Sequence, residues 1–414
     1  MTPPMRVGID ARTLEREDDL RGIGVVVWHM IRHLRAAGVH LVLFFSQPPD
    51  GKLTSSADKQ VVLGSPTGKQ DRSESSTLVR PVRDLLWEQL LLPGALRRER
   101  LDLYHAPANR GIPLIGRGRF VATIHDVIPL VTPYFFDRRT NPLIITGALR
   151  LVAWVSLAVV TWKSRRIITD SESSRRDIAR LFPWVRGKMT VIYPGADPRY
   201  RREEDASVVR RVLARYALPS RYLIFVGGLG QRKNIAGLLR AYSQLVRALP
   251  TAPALVVVGR HNALYNGLQQ VAHSLRVADR VHFPGFVPTE DMPALLSAAD
   301  LLVYPSFYEG FGLPVLEAMA CGCPVVCSRT SALPEVGADG VLYCDPTSPE
   351  DIAEKIRRVL ADSTLRGQLI ARGLQRASEF SMDRMAAEAL NVYREVLGTS
   401  GSIASRGTHT RSSL

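Results

Sequence analysis

Two carboxylates with seven residues between them, Glu309 and Glu317, frame the stretch Glu309-Gly-Phe-Gly-Leu-Pro-Val-Leu-Glu317, which follows the apolar run Leu301 to Tyr304. The order is that of a strand, a glycine-bearing loop and a helix start, with Pro314 suited to the first turn. Gly310 and Gly312 let the backbone approach a ligand, and the N–H groups near Gly312 and Leu313 offer a place to an anion. A diphosphate fits such a place. Glu309 and Glu317 would repel phosphate, so they are expected to accept hydrogen bonds from hydroxyl groups on either side of it. A sugar at one end and a ribose at the other meets that demand, which makes Glu309, Gly310, Phe311, Gly312, Leu313 and Glu317 a donor-binding set.

Matching cations stand in Val226-Gly-Gly-Leu-Gly-Gln-Arg232-Lys233-Asn234, where a strand again gives way to a helix. At the carboxyl end of a parallel strand, Lys233 and with it Arg232 face the ligand crevice. They are expected to neutralise a diphosphate and to stabilise it as a leaving group, the task a divalent metal performs elsewhere. Near the start of the chain, Arg21-Gly22-Ile-Gly24 precedes an apolar helix, so Gly22 and Gly24 can close over a phosphate or an acceptor from the opposite wall. Val27 stands in place of the third glycine of Gly-x-Gly-x-x-Gly, which argues against a dinucleotide oxidoreductase. His125, in Thr123-Ile-His-Asp126 at a further strand end, can donate to a sugar hydroxyl, polarise a reacting centre, or serve as a satisfied structural histidine.

Residues so far apart in sequence need a scaffold that brings strand ends together. Short apolar strands alternate with helix-length segments twice along the chain, the pattern of α/β domains with parallel sheets covered by helices. In the first half the strands are expected at 6–9, 39–45, 103–105, 120–124, 166–169 and 190–193, with helices at 24–37, 82–98, 142–162 and 173–182. Residues 46–80, rich in Ser, Gly, Lys and Asp, read as a surface insertion. A charged linker follows Pro194, and a second alternation begins at Tyr222, with strands at 222–226, 255–258, 281–283, 301–304, 325–327 and 341–343. The domains are therefore expected at 1–195 and 196–380, with a disordered tail at 398–414.

A chain of 414 residues with 46% apolar content is long enough for two hydrophobic cores. The four cysteines, Cys321, Cys323, Cys327 and Cys344, crowd into one apolar stretch and lack metal-ligand spacing, so they read as buried thiols in a reducing cytoplasm. The formal charge of +15 calls for an anionic partner without choosing among nucleic acid, membrane and phosphorylated substrate. Leu143 to Trp162 is nearly long enough for a membrane span, yet strands on both sides favour a helix packed on the sheet or lying on a bilayer surface. Trp154, Trp162, Lys163, Arg165 and Arg166 suit the surface option.

Together these motifs resemble family 4 of the glycosyltransferases, retaining enzymes of the GT-B fold, over nearly the whole chain. Glu309 to Glu317 is similar to the family's paired-glutamate motif, Arg232-Lys233-Asn234 to its donor-phosphate motif, and Gly22-Ile-Gly24 to its amino-terminal glycine loop. Gly8-Ile-Asp-Ala-Arg12, Trp87-Glu-Gln-Leu90, His105-Ala-Pro-Ala-Asn109, His125-Asp126, Ser171-Glu-Ser-Ser-Arg-Arg-Asp177 and Leu333-Pro-Glu335 resemble the mannosyl- and rhamnosyltransferase-type members that build bacterial surface glycans. The resemblance implies two Rossmann-like, doubly wound domains facing across a cleft, the first for the acceptor and the second for the nucleotide sugar. A helix at 381–397 would cross back to the first domain. It further implies GDP-mannose as donor, a glycan or lipid-linked acceptor, work at the inner face of the cytoplasmic membrane, no resident cofactor or metal, and no role for nucleic acid. His125, Glu309 and Lys233 would be catalytic, with Glu317 on the ribose. The competing expectation is a silent sugar-nucleotide-binding subunit of a glycan assembly complex.

Overall fold

The structure is a computed structural model that describes residues 4–15, 22–49, 55, 58–64, 79–133 and 143–399, without the side chains of 79–82 and 143–145. Two parallel sheets organise it. The first has seven strands: β1 (Arg6–Asp10), β2 (His40–Phe45), β3 (Lys59–Val62), β4 (Leu103–Ala106), β5 (Phe120–Thr123), β6 (Arg166–Thr169) and β7 (Met189–Val191). Their order is β3-β2-β1-β4-β5-β6-β7. The second has six: β8 (Tyr222–Val226), β9 (Ala254–Val258), β10 (Val281–Gly285), β11 (Leu301–Tyr304), β12 (Val325–Ser328) and β13 (Leu342–Cys344), in the order β10-β9-β8-β11-β12-β13.

In both sheets the chain starts in the middle, winds to one edge, returns and winds to the other. Crevices open where the direction reverses, between β1 and β4 and between β8 and β11. The inner strands, such as β4, β5, β11 and β12, are buried on both faces, which is why they read as continuous apolar runs. In β2 the alternation is visible as a division of labour: Leu41, Leu43 and Phe45 enter one core and Val42 and Phe44 the other.

Three features depart from the expected elements. The segment 46–80 is more than an insertion, because Lys59–Val62 forms β3 and pairs in parallel with β2, Val42 opposite Lys59 and Phe45 opposite Val62. The strand is half-hidden from a pattern search because it lies at the sheet edge and three of its four residues are exposed. The helix expected at 82–98 runs from Val79 to Glu99 with a π-helical turn at Trp87–Leu91. That turn brings Glu88 inward, where it accepts from Arg12 Nη2 at 2.8 Å. The strand expected at 190–193 lies at Met189–Val191. Most of the tail expected at 398–414 lies outside the described residues, as does Arg21.

The chain passes from one half to the other at Gly195–Asp197 and comes back at Ser381, where Ala196 and Ser381 form a parallel bridge. Asp197, 3% exposed, accepts from His29 Nε2 of the first half at 3.2 Å and from Arg199 Nη2 at 2.7 Å. The returning helix, Met382–Leu397, packs on helix Ile23–Ala36 and places Met382, Met385, Ala389, Leu390 and Tyr393 in the core of the first half. The Tyr393 hydroxyl meets Nδ1 of fully buried His105 at 2.6 Å, and Thr123 Oγ1 meets its Nε2 at 2.8 Å. Burial, aided by the nearby His125, pushes His105 down to about 3, so it is neutral.

Helix Leu143–Lys163 lies on the first sheet by one face only. Leu157 and Val160 are buried, whereas Leu151, Val152, Trp154, Val155 and Trp162 are exposed. Among the described residues no helix is long and apolar enough to cross a membrane. All four cysteines are buried free thiols.

Candidate active site

A cleft of about 480 Å³ lies between the two halves, and residues from both line it. Its position follows from topology. Arg232 and Lys233 follow β8, Glu309 follows β11, and these strands are neighbours at the second sheet's reversal point, so residues 76 apart in sequence meet. His125 follows β5, Pro107 follows β4 and Asp170 follows β6, three adjacent strands of the first sheet.

Glu309 is the centre of the C-terminal wall. Its Oε1 lies 2.7 Å from Lys233 Nζ and its Oε2 lies 2.8 Å from Arg232 Nη1. Lys233 also donates to the Tyr304 hydroxyl and stands 4.8 Å above that ring's centroid. Burial alone would raise the Glu309 carboxyl, but the two cations overcome it and hold the group at about 2. The same burial lowers Lys233 despite Glu309. The cations expected to face a diphosphate are thus tied to the carboxylate expected to face a sugar, and an arriving anion would have to share them.

The loop after Glu309 presses against the first half. A Cβ on Gly310 would lie 2.9 Å from Asp126 Cβ and 3.0 Å from the His125 carbonyl oxygen, so only glycine allows this approach. Gly312 caps helix Leu313–Ala320 at φ +118°, a left-handed conformation, and no side chain caps the helix. Phe311 and Leu313 complete that part of the lining. At the far end Glu317 lines the cleft, and burial together with the charge of Asp197 pushes it up to about 8.

On the N-terminal wall the His125 ring is held at both nitrogens. Nδ1 lies 2.7 Å from Asp170 Oδ2 and Nε2 lies 2.8 Å from the Pro107 carbonyl. Both acceptors favour N–H donors, so although burial opposes the charge, Asp170 and Pro107 raise His125 to about 9 and keep it an imidazolium at neutral pH. A direct hydrogen bond to a sugar would cost one of those contacts. The ring is satisfied as it stands, and it brings positive charge to the cleft without a free donor. Gly22 is the exposed cap of helix Ile23–Ala36 and lines the cleft, whereas Gly24, the second residue of that helix, is buried and does not.

Sequence reasoning missed Asp170 and Tyr304 as members of the site. Asp170 had a signal, since Thr169-Asp170-Ser171 ends a strand as Thr123-Ile-His125 does. Tyr304 had none, because a tyrosine at the end of an apolar strand reads as core.

The chain matches two family descriptions, "Glycosyltransferase Family 4" over residues 20–200 and "Glycosyl transferases group 1" over residues 215–376. It is 34% identical over 301 residues to O-antigen chain mannosyltransferase B of Escherichia coli, which covers 72% of this chain and 76% of that one. The chain belongs to glycosyltransferase family 4. Its fold agrees: sucrose-phosphate synthase from Thermosynechococcus elongatus superposes with a TM-score of 0.76 at 19% identity, covering 96% of the transferase and 100% of that chain. HepE from Anabaena, solved with UDP and glucose, superposes with a TM-score of 0.72 at 18% identity over 94% and 100%. The transferase therefore has the GT-B fold, two Rossmann-like domains across a cleft.

Proposed function

We propose that this transferase moves mannose from GDP-mannose, with retention of anomeric configuration and without a divalent metal, onto a glycan or lipid-linked acceptor. The observation that carries the reading is the cluster of Arg232, Lys233 and Glu309 at the centre of a cleft whose far end is lined by the carboxyl group of Glu317. Such a site binds the diphosphate through its cations and the backbone near Gly312, the hexose through Glu309 and the Gly310 to Gly312 loop, and the ribose through Glu317.

As the glycosidic bond breaks, negative charge grows on the diphosphate, and Lys233 and Arg232 stabilise it there. A covalent route through Glu309 is disfavoured because both of its oxygens are ion-paired, which leaves a weak nucleophile. The diphosphate oxygen itself then assists deprotonation of the acceptor on the face from which it leaves. The similarity to an O-antigen mannosyltransferase supports mannose as the sugar. The apolar outer face of helix Leu143–Lys163, with exposed Arg165 and Arg186 nearby, supports work on an anionic membrane surface.

The test is a thermal-stability screen against GDP-mannose, UDP-glucose and dTDP-sugars, followed by assay of nucleotide release with acceptor. The true donor at a hundredfold excess over Kd stabilises by about 2.7 kcal/mol. Stabilisation by UDP- or dTDP-sugars and not by GDP-mannose overturns the donor, and binding without turnover overturns transfer in favour of a silent subunit.

A further inference from the structure

Two stretches singled out in the sequence, Ser171 to Asp177 and Leu333 to Glu335, have no part in the site described above, yet they meet across the cleft. Helix Glu172–Leu181 belongs to the first half. Glu335, from the second, accepts from the Glu172 amide through Oε2 and from the Ser173 amide through Oε1, each at 2.7 Å. Ser171 Oγ accepts from the Ser174 amide at 3.0 Å, and the Ser171 carbonyl accepts from the Arg175 amide at 2.9 Å. Every N–H group of the first helical turn is thereby satisfied, two of them by a carboxylate from the opposite domain. That carboxylate also faces the positive end of the helix dipole. Its neighbours are the Tyr193 hydroxyl at 3.3 Å and Arg176 at 3.9 Å, and Arg376 holds its backbone carbonyl.

The same helix start grips the loop that carries the sugar-binding residues. Ser171 Oγ donates to the Gly310 carbonyl at 2.7 Å, and Ser174 Oγ lies 3.2 Å from that carbonyl and 2.8 Å from that of His125. The Tyr308 hydroxyl donates to Asp177. Glu335 thus holds one side of the helix start while the Gly310 carbonyl occupies the other.

We propose that Glu335 is a positioning residue that clamps the two domains and sets the Gly310 loop against His125. The inference rests on the reading of that loop as the seat of the donor sugar. A carboxylate on a helix end makes a reversible clamp, because both partners are well hydrated when the domains part. The nucleotide end of the donor, at Glu317 on the C-terminal wall, does not pass through the clamp. Turnover should therefore depend on Glu335 and nucleotide affinity should not.

The full chain carrying Glu335→Gln tests this, since the amide keeps one acceptor and turns an N–H₂ group towards the other helix N–H. We expect kcat to fall roughly 5- to 30-fold, the upper part of the range of a lost helix cap. The KM for donor and the Kd for GDP should stay within about twofold, and Glu335→Asp should restore part of the loss. Small-angle scattering with saturating GDP should give a larger radius of gyration for Glu335→Gln than for wild type. Tyr308→Phe, which removes only the hydroxyl donated to Asp177, provides a milder variant with the same signature should Glu335→Gln fold poorly. A kcat within twofold of wild type, or an equal loss of GDP affinity, overturns the clamp. If wild type transfers no sugar at all, the transfer reading fails, and equal compaction of wild type and variant by GDP then overturns the clamp independently.

Discussion

The two halves of the transferase share a sheet plan but complete their cores differently. In the C-terminal half the apolar residues form one contiguous cluster, filled by the half's own helices. In the N-terminal half they form two clusters, one on each side of the sheet. One of these is finished by Met382, Met385, Leu390, Val392 and Tyr393 from the end of the chain, and the other is roofed by a helix that turns an apolar face outward. The half that holds most of the charged site is self-contained, while the half expected to receive the acceptor depends on a distant segment and a surface. Fold likeness between the halves therefore does not imply equal independence.

The largest expected effect tests that dependence. Truncation after Phe380 removes five large side chains from the N-terminal core, each worth roughly 1.5–3 kcal/mol of burial. The sum rivals the whole stability of an ordinary domain. The N-terminal half should lose its cooperative unfolding transition and expose amides to hydrogen exchange, while GDP still protects the C-terminal half. Protection retained in both halves would erase the contrast.

The second effect lies inside the C-terminal half. Lys233→Ala should lower turnover by about 2–4 kcal/mol in the barrier, roughly thirty- to a thousandfold, and should also weaken donor binding. Activity within a few-fold of wild type would remove Lys233 from the chemistry.

The third concerns the outward face. Wild type should sediment with anionic vesicles at low salt, less so at high salt, and not with neutral ones. Arg165→Glu with Arg186→Glu should weaken that binding at least about tenfold, since each charge near such a surface is worth about 1 kcal/mol. Binding indifferent to lipid charge and salt would mean that attachment is not electrostatic.

The smallest effect is a pH dependence at Glu317. Its carboxyl is pushed up to about 8, and ribose hydroxyls favour the ionised form, so donor binding should release a proton below that pH. Affinity should rise at most about tenfold per unit as pH climbs towards 8 and level off above, an effect absent from Glu317→Gln. Calorimetry in buffers of different ionisation enthalpy reads the proton directly. A flat profile would mean that Glu317 does not meet the ribose as an acceptor.

The same asymmetry governs what the sequence disclosed. Central strands such as Leu301–Tyr304 are 0% exposed and announce themselves as apolar runs, and the site motifs sit at their ends, so the C-terminal wall was legible almost residue by residue. The edge strand Lys59–Val62 was hidden because its residues face water and its only fixed demand is backbone pairing. The π turn at Trp87 was hidden because helical periodicity cannot show one extra residue per turn. Pairing within the site was beyond reach for a different reason. Spacing indicates that Lys233, Glu309 and His125 reach one cleft, but which charge neutralises which depends on distances that only the folded chain sets.

The returning helix has a consequence in time. Roughly 190 residues separate Val191, the end of the first sheet, from Met382, and at about 5–20 residues per second their synthesis takes roughly 10 to 40 s. Through that interval Val7, Ile9, Leu41 and Leu43 have no cover from Met382–Leu397, while the second half, begun later, can close its own core as it emerges. The order of synthesis and the order of completion are reversed between the domains. A nascent chain of this transferase thus carries an uncovered apolar face on its oldest part, and that face is where chaperone capture and aggregation compete.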